Sequence, residues 1–557
     1  MEHAARHQHA QMRMHVRPLG RVSLVPEPRS PEAAPTGNVR ITLAVTAIVT
    51  ATATALKARA SNTRAGQDAR SCAGMVTKLG ALLGLFGLVV LITSCNVRPQ
   101  SATTQQARGA GDRDSQSFDE RLKHSRAVEA AIWGMPIVAA DAIRQGFLAL
   151  GAGYNHIAYF STYPDWRFQT TTPNASTRYI YSAYSTRKDG PLVLEIPPAV
   201  GAGLYGQLCD MWDVPLNIVG PGGDDKGKGG RYLILPPGFE GNVPAHYVPV
   251  RSSTFGGFWL MRTIAKSNSN ADQSAAVALL KKIRMYPLSQ SAHPPMQRFL
   301  DVAGKPWNGI PRMDESFYAV LAKMVNEEPV LPRDLAIMNM LTTIGIEKGK
   351  AFMPDSVMTA MLRRSANEAK AYFQHLQEES LRPYWEGAAW ALPDVSGMKT
   401  EFTYQTADML YYDLRGMGGF MFWAPPKKAD ASAPTIYIST LKDGEGRPLG
   451  GGKTYRLHVP ANVPARQYWS ATVYDWDTAG FIREAPVVSL DSYNEKASRN
   501  GDGSLDIYFA PQAPPDRANN WITTGKAGRW FVIFRLYGPQ EPFFDKTWKL
   551  PDIEQIH

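Results

Sequence analysis

Residues Tyr179–Val219 read YIYSAYSTRKDGPLVLEIPPAVGAGLYGQLCDMWDVPLNIV, and their hydrophobic period is two. Aromatic and β-branched residues alternate in the runs YIYSAYS, LVLEIPP and YGQLCDMWDVPLNIV, each bounded by Pro, Gly or Asp. Such runs are strands joined by turns, because successive side chains of a strand point to opposite faces and Pro and Gly interrupt pairing. The same pattern continues in RYLILPP and FWLMRTIA, and it returns from about Thr435 in TIYIST, KTYRLHVP, QYWSATVYDW, SLDIYFA and GRWFVIFRLYG.

Between and before these runs the period changes to that of a helix. Phe118–Leu150 carries apolar residues at helical spacing, interrupted by Gly134-Met135-Pro136, which predicts two helices or one kinked helix. After about Asp272 come ADQSAAVALLKKIRMY, DESFYAVLAKMVNEEP with Phe317, Val320, Leu321 and Met324 on one face, PRDLAIMNMLTTIGI and PDSVMTAMLRRSANEAKAYFQHLQ. Pro332 and Pro354 sit near helix starts. The expected class is α+β, mainly β, with two β domains flanking a helical middle: 118–300, 301–400 and 401–557.

At 557 residues the chain is long enough for several cores, and 44% hydrophobic residues mark it as globular. The net charge of +10 is unevenly placed, since residues 1–94 hold 11 Lys/Arg against 4 Asp/Glu and so carry +7 of it. The remaining body is near neutral with no basic cluster, which argues against a nucleic-acid partner.

Residues 75–94 read MVTKLGALLGLFGLVVLITS and are followed by Cys95. One positive charge, an uncharged apolar run and small residues before a Cys make a secretory signal, too short for a stable span. The ending Ile92-Thr93-Ser94-Cys95 resembles a bacterial lipobox, in which the Cys is lipidated. The polar stretch 95–117 is then a flexible tether. Residues 1–74 read as an over-extended, disordered start; the rival is a longer leader built on Ile41–Leu56. The expected location is the cell envelope, with the protein lipid-anchored at Cys95. Asn96 after that Cys, in place of Asp, favours the periplasmic side of the outer membrane over the inner membrane. With Cys72 removed and Cys95 consumed, Cys209 is alone and forms no intramolecular disulfide.

Nucleotide and metal motifs fail on context. GAGLYG (201–206) follows Pro197-Pro198 and leads into a strand, so it is a turn and not a dinucleotide loop. GPGGDDKGKGG (220–230) lacks the Gly-Lys-Ser/Thr of a phosphate loop and reads as a long hairpin loop. NGDGSLDIYF lacks the Gly and the closing carboxylate of a calcium loop. No GxSxG or HExxH occurs, and no cofactor or metal is expected. What remains is a set of polar residues inside strands, which either face solvent or line a cleft. His458, Asp475 and Tyr474 are the candidate acid/base groups. Asp210, Asp213, Arg262 and Arg535 are candidates for substrate binding, the two arginines as anion clamps.

The segments TTPNASTRYIYSAYSTRKDGPLVLEIPPAVGAGLYGQLCDMWDVPLNIVG, GKGGRYLILPPGF and LLKKIRMYPLSQ resemble the domain of unknown function 1254. TIYISTLKDGEGRPLGGGKTYRLHVP, YWSATVYDWDTAGFI, NGDGSLDIYFAPQAPP and RWFVIFRLYGPQEPFFDKTWKLPDI resemble its usual partner, 1214. The resemblance implies two β-sandwich or jelly-roll-like domains in an exported bacterial protein and no established reaction. The family pattern Asn-x-Asp-Thr-x-Tyr is met by Asn174, Thr177 and Tyr179, with Ser176 in place of the Asp. The functional expectation is a hydrolase acting on a small molecule or glycan, or alternatively a ligand-binding or scaffold lipoprotein without chemistry; self-association is left open.

Overall fold

The computed structural model describes residues 117–393, 403–422, 435–526 and 528–556. The leader, signal-peptide and lipidation readings, Cys95 included, fall on residues 1–116 and lie outside the described residues.

The α+β expectation holds: the described chain has two sheet-rich halves and a set of helices, and no sheet closes into a barrel. In the first half a six-stranded sheet has the order 299–301, 157–159, 178–185, 256–264, 203–210, 215–219. A four-stranded sheet, 284–287, 192–196, 230–235, 248–251, covers one of its faces. The second half repeats the scheme, with a six-stranded sheet of 381–383, 391–393, 435–440, 530–539, 465–475, 489–491 and a four-stranded one of 521–523, 505–510, 454–459, 554–556. Each pair encloses its own core. Ile180, Leu194, Ile234, Trp259 and Met261 fill the first, and Ile438, Leu457, Trp469, Ile507, Trp530 and Phe534 the second.

Since strand side chains alternate, each six-stranded sheet has a second face. Those faces, with Tyr181, Phe258 and Leu260 from one and Tyr474, Phe531 and Ile533 from the other, belong to a third core shared with the helices. Burying a large apolar side chain there contributes roughly 1.5–3 kcal/mol, so the helices are structural to both halves and more than a spacer between them.

Phe118–Ala149 is one helix, not two. It opens with a capping box, Glu120 N donating to Ser117 Oγ at 3.2 Å and Ser117 N to Glu120 Oε2 at 2.8 Å. Pro136 sits inside it and has no N–H to offer the Ile132 carbonyl. The glycine-rich helix Tyr412–Met421 fills that defect. A Cβ at Gly416 would lie 2.4 Å from Ile132 O and 2.9 Å from Phe373 Cε1, and one at Gly419 would lie 2.9 Å from Pro136 Cα. Three helices therefore meet where only glycine fits.

Two local readings change. The segment Arg284–Pro287, read as the end of a helix, is a strand, the helix closing at Leu280. The Gly220–Gly230 loop is not a hairpin, because the strands it joins belong to different sheets. Asp225 shapes it by accepting from Gly220 N at 2.7 Å and Gly229 N at 3.1 Å.

Gly416→Ala tests the helix junction. The overlap with the Ile132 carbonyl is expected to cost ~1–3 kcal/mol in urea denaturation; an unchanged midpoint and slope would show that the junction is loosely packed.

Candidate functional site

Strand pairing gathers charged and phenolic side chains on the second faces of the two six-stranded sheets. In the first sheet Tyr179 is directly opposite Arg262. In the second, Tyr437 and Ser470 flank Arg535 on either side, and Tyr468 is opposite Tyr537. Two-residue spacing brings Tyr474 to the same face as Ser470 and Thr472. The two sets touch: Arg262 Nη1 donates to Tyr437 Oη at 3.3 Å.

Arg535 is 1% exposed. Its Nη2 donates to the Thr172 carbonyl at 3.2 Å, while Nε and Nη1 have no hydrogen-bond partner. Its guanidinium carbon lies 4.8 Å from the Tyr437 ring centroid and 5.5 Å from that of Tyr474. Arg262 lies over Tyr179 at 5.6 Å. Among the described residues neither arginine forms an ion pair with a carboxylate. Burial disfavours both charges, but the surrounding tyrosine oxygens outweigh it and keep both arginines protonated.

The counterpart is Tyr437. Burial alone would raise its phenol, yet Arg262 and Arg535 outweigh that and pull it down to about 8. Tyr474 and Tyr537 go the other way, raised chiefly by burial. Tyr474 donates to the Pro173 carbonyl and stacks on Phe481 and Phe531. Asn174 closes the site: its N–H donates to Tyr179 Oη at 2.9 Å, its Nδ2 donates to Tyr537 Oη, and its Oδ1 accepts from Ser176 N at 2.7 Å. Arg262 and Tyr437 are half-buried, so this cluster reaches the surface on their side.

The structure thus brings together Arg262, Arg535 and Tyr474 of the residues singled out from the sequence. His458 and Asp475 are not among them. His458, 41% exposed, faces outward from the four-stranded sheet and bonds through Nδ1 to Asp506 Oδ1 at 2.8 Å. Asp475 ends its strand and accepts from Thr478 N and Oγ1, both at 2.9 Å, capping a turn. Asp210 and Asp213 lie in a second cluster. Asp210 Oδ1 accepts from Trp212 N at 2.9 Å and Val214 N at 3.0 Å, and its Oδ2 accepts from Ser253 Oγ at 2.7 Å, so it shapes the 210–214 turn. Tyr437, Tyr537, Tyr468 and Asn174 were not singled out as site residues. The signal available was Tyr437 in TIYIST, a phenol on an alternating strand, but its pairing with Arg535 spans almost a hundred residues.

Two family models match the chain in order: residues 154–287 match Protein of unknown function (DUF1254), and residues 434–541 match Protein of unknown function (DUF1214). Most of the site falls within these regions, Arg262 and Tyr179 in the first and Tyr437, Tyr474 and Arg535 in the second. No curated protein matches. Among solved structures, the VPA0106 protein from Vibrio parahaemolyticus is similar with TM-score 0.44 and 15% identity, covering 78% of this chain and 100% of its own. A putative uncharacterized protein from Burkholderia cenocepacia gives TM-score 0.34 and 10% identity over 79% of this chain and 95% of its own.

The Tyr437 geometry makes a spectroscopic prediction. One tyrosinate band is expected to rise near pH 8, well before the ordinary tyrosine range of ~10, and to vanish in Tyr437→Phe. Because the folded-state pKa is depressed, ionisation of Tyr437 adds stability as pH rises from about 8 towards ~10 and adds none below that window. A first tyrosine ionising only near 10 in the native protein would remove the cation pair from the account.

Proposed function

We propose that this chain binds a small anionic ligand, carrying a carboxylate or phosphate group, between the second faces of its two six-stranded sheets. The observation that carries this reading is a pair of buried or half-buried guanidiniums without a carboxylate partner among the described residues, Arg535 with its Nε and Nη1 donors unused. Enclosing a charge without a partner is costly, and guanidinium donors in a fixed fork fit carboxylate and phosphate oxygens. Tyr437 serves as a surrogate: when it ionises it supplies the missing negative charge, and an anion arriving at the arginines takes its place. The surrounding tyrosine rings supply flat apolar surface of the kind that packs on sugars, so acidic sugars fall within the ligand class. In this reading the protein works in the cell envelope, tethered to a membrane by lipid on Cys95, with the site in the folded body.

A second reading, hydrolysis of a bound ester, has one observation in its favour. The Tyr437 phenol is poised near neutral pH beside the anion position and is able to give or take a proton there. His458 and Asp475 have no part in this version, because neither reaches the cluster.

Calorimetric titration with phosphate, acetate and a uronic acid at pH 7 tests the binding reading. At least one is expected to bind, and Arg262→Gln or Arg535→Gln to weaken it by about tenfold or more. Above pH 8 the affinity of native protein is expected to fall by up to about tenfold per unit, since ligand and phenolate compete, while Tyr437→Phe binds with no such slope. Binding indifferent to both arginine substitutions would sink the reading. For the ester version, Tyr437→Phe must keep binding and lose turnover.

A further inference from the structure

Of the rings around the arginine pair, Tyr179, Tyr468, Tyr474 and Tyr537 are buried and present no face to a molecule arriving from solvent. Tyr205 is placed differently. It lies on the strand Gly203–Asp210 directly opposite Arg262, so Arg262 stands between Tyr179 on one neighbouring strand and Tyr205 on the other. Opposed residues of antiparallel strands share a face, with their Cβ atoms about 5 Å apart. Tyr205 is therefore on the second face of its sheet, one strand beyond Arg262, and both residues are half-buried. Half-buried Tyr437 meets Arg262 from the other sheet, so the arginine sits at the open side of the cluster with one reachable ring beside it.

The Tyr205 ring is laid down along its strand by glycine. A Cβ at Gly203, the next residue on that face, would lie 2.7 Å from Tyr205 Cε2 and 3.5 Å from Cζ. One at Gly220 would lie 3.4 Å from Tyr205 Cδ1. Neither position carries a side chain, so the ring rests against backbone where a substituent at Gly203 would push it away. The result is a shelf on the sheet surface, which needs no cavity to hold a ligand.

We infer that Tyr205 selects a ring-bearing carboxylate of the uronic-acid type, its carboxylate on Arg262 and one C–H face of the sugar ring on Tyr205; this rests on the anion reading above. Among the described residues the Arg262 guanidinium donates only to Tyr437 Oη, and a guanidinium has further N–H donors for a carboxylate. A pyranose acid carries its carboxylate one bond from the ring, which suits an arginine and an aromatic ring on adjacent strands. The sugar's C–H face packs on the phenol ring while the hydroxyls on its outer side keep their water. An aromatic acid on the same open shelf would leave its outer apolar face exposed to water, which favours the sugar acid over it.

Calorimetric titration with acetate, glucuronate and benzoate at pH 7 tests this in native protein, Tyr205→Ala, Tyr205→Phe and Gly203→Ala. Native protein is expected to bind glucuronate about tenfold more tightly than acetate. Tyr205→Ala should abolish that preference and leave acetate affinity unchanged, whereas Tyr205→Phe keeps the ring and should keep the preference. Gly203→Ala displaces the ring without touching either arginine, so it should lower the preference in the same way. Arginine-dependent acetate binding with no glucuronate preference, or with a preference that survives Tyr205→Ala, overturns this inference and leaves the anion site standing. So does an equal loss of acetate and glucuronate in Tyr205→Ala, since Tyr205 would then only support the fold, and so does benzoate binding more tightly than glucuronate. Failure of every anion to bind, or binding indifferent to Arg262→Gln and Arg535→Gln, removes the anion site and this inference together.

Discussion

A guanidinium sealed between sheets without a carboxylate is the constraint around which this molecule is arranged. Arg535 is surrounded by Tyr437, Tyr474, Tyr537 and the Thr172 carbonyl, and Arg262 reaches the same group of phenols from the other sheet. A buried charge of this kind costs several kcal/mol unless it is neutralised or hydrogen-bonded. Tyrosine is a weak solution to that problem, because a phenol is neutral until it is forced to ionise. The burden falls on Tyr437, which touches both cations and is the one tyrosine of the group held below its ordinary range. Strongly perturbed groups of this kind cluster at binding and catalytic sites.

The fold explains why the charges can be there at all. Each half puts its apolar alternation into a sandwich core and so frees the second face of its large sheet. Helices cover most of those two faces, and the packing is set by backbone features as much as by side chains. Pro136 leaves the Ile132 carbonyl without its helical donor, and Gly416 allows a neighbouring helix to close over it. The same close approach leaves Arg415 beside a small pocket.

Much of this was legible in the chain. Period-two runs marked the strands, and Pro332 and Pro354 marked helix starts: Pro332 opens a short helical turn at 332–334, and Pro354 precedes Asp355, whose side chain caps the next helix by accepting from Met358 N at 2.8 Å. Arg262 and Arg535 stood out because a charge within an aromatic strand demands a reason. The reason itself was not legible, since Tyr179 opposite Arg262 and Tyr437 opposite Arg535 depend on strand register between segments far apart in sequence. The same gap separates His458 and Asp475 from the arginine–tyrosine cluster. Alternation tells which residues share a face but not which face is buried: His458 lies on the outer face with Asp506, and Asp475 is consumed by the turn at Thr478. Arg415 carried no signal, because one arginine in a helix is ordinarily a solvated residue.

The central claim is that the Arg262–Arg535 pair is an anion site. A crystal of the protein soaked in bromide or selenate at neutral pH, measured for anomalous scattering, tests it most directly. The account predicts an anomalous peak within hydrogen-bond reach of the guanidinium nitrogens of Arg262 and Arg535, next to Tyr437 Oη and absent from crystals of Arg535→Gln. Ordered guanidiniums with an undisturbed Tyr437 and no peak between them, while the same anion occupies other arginines on the surface, would contradict it.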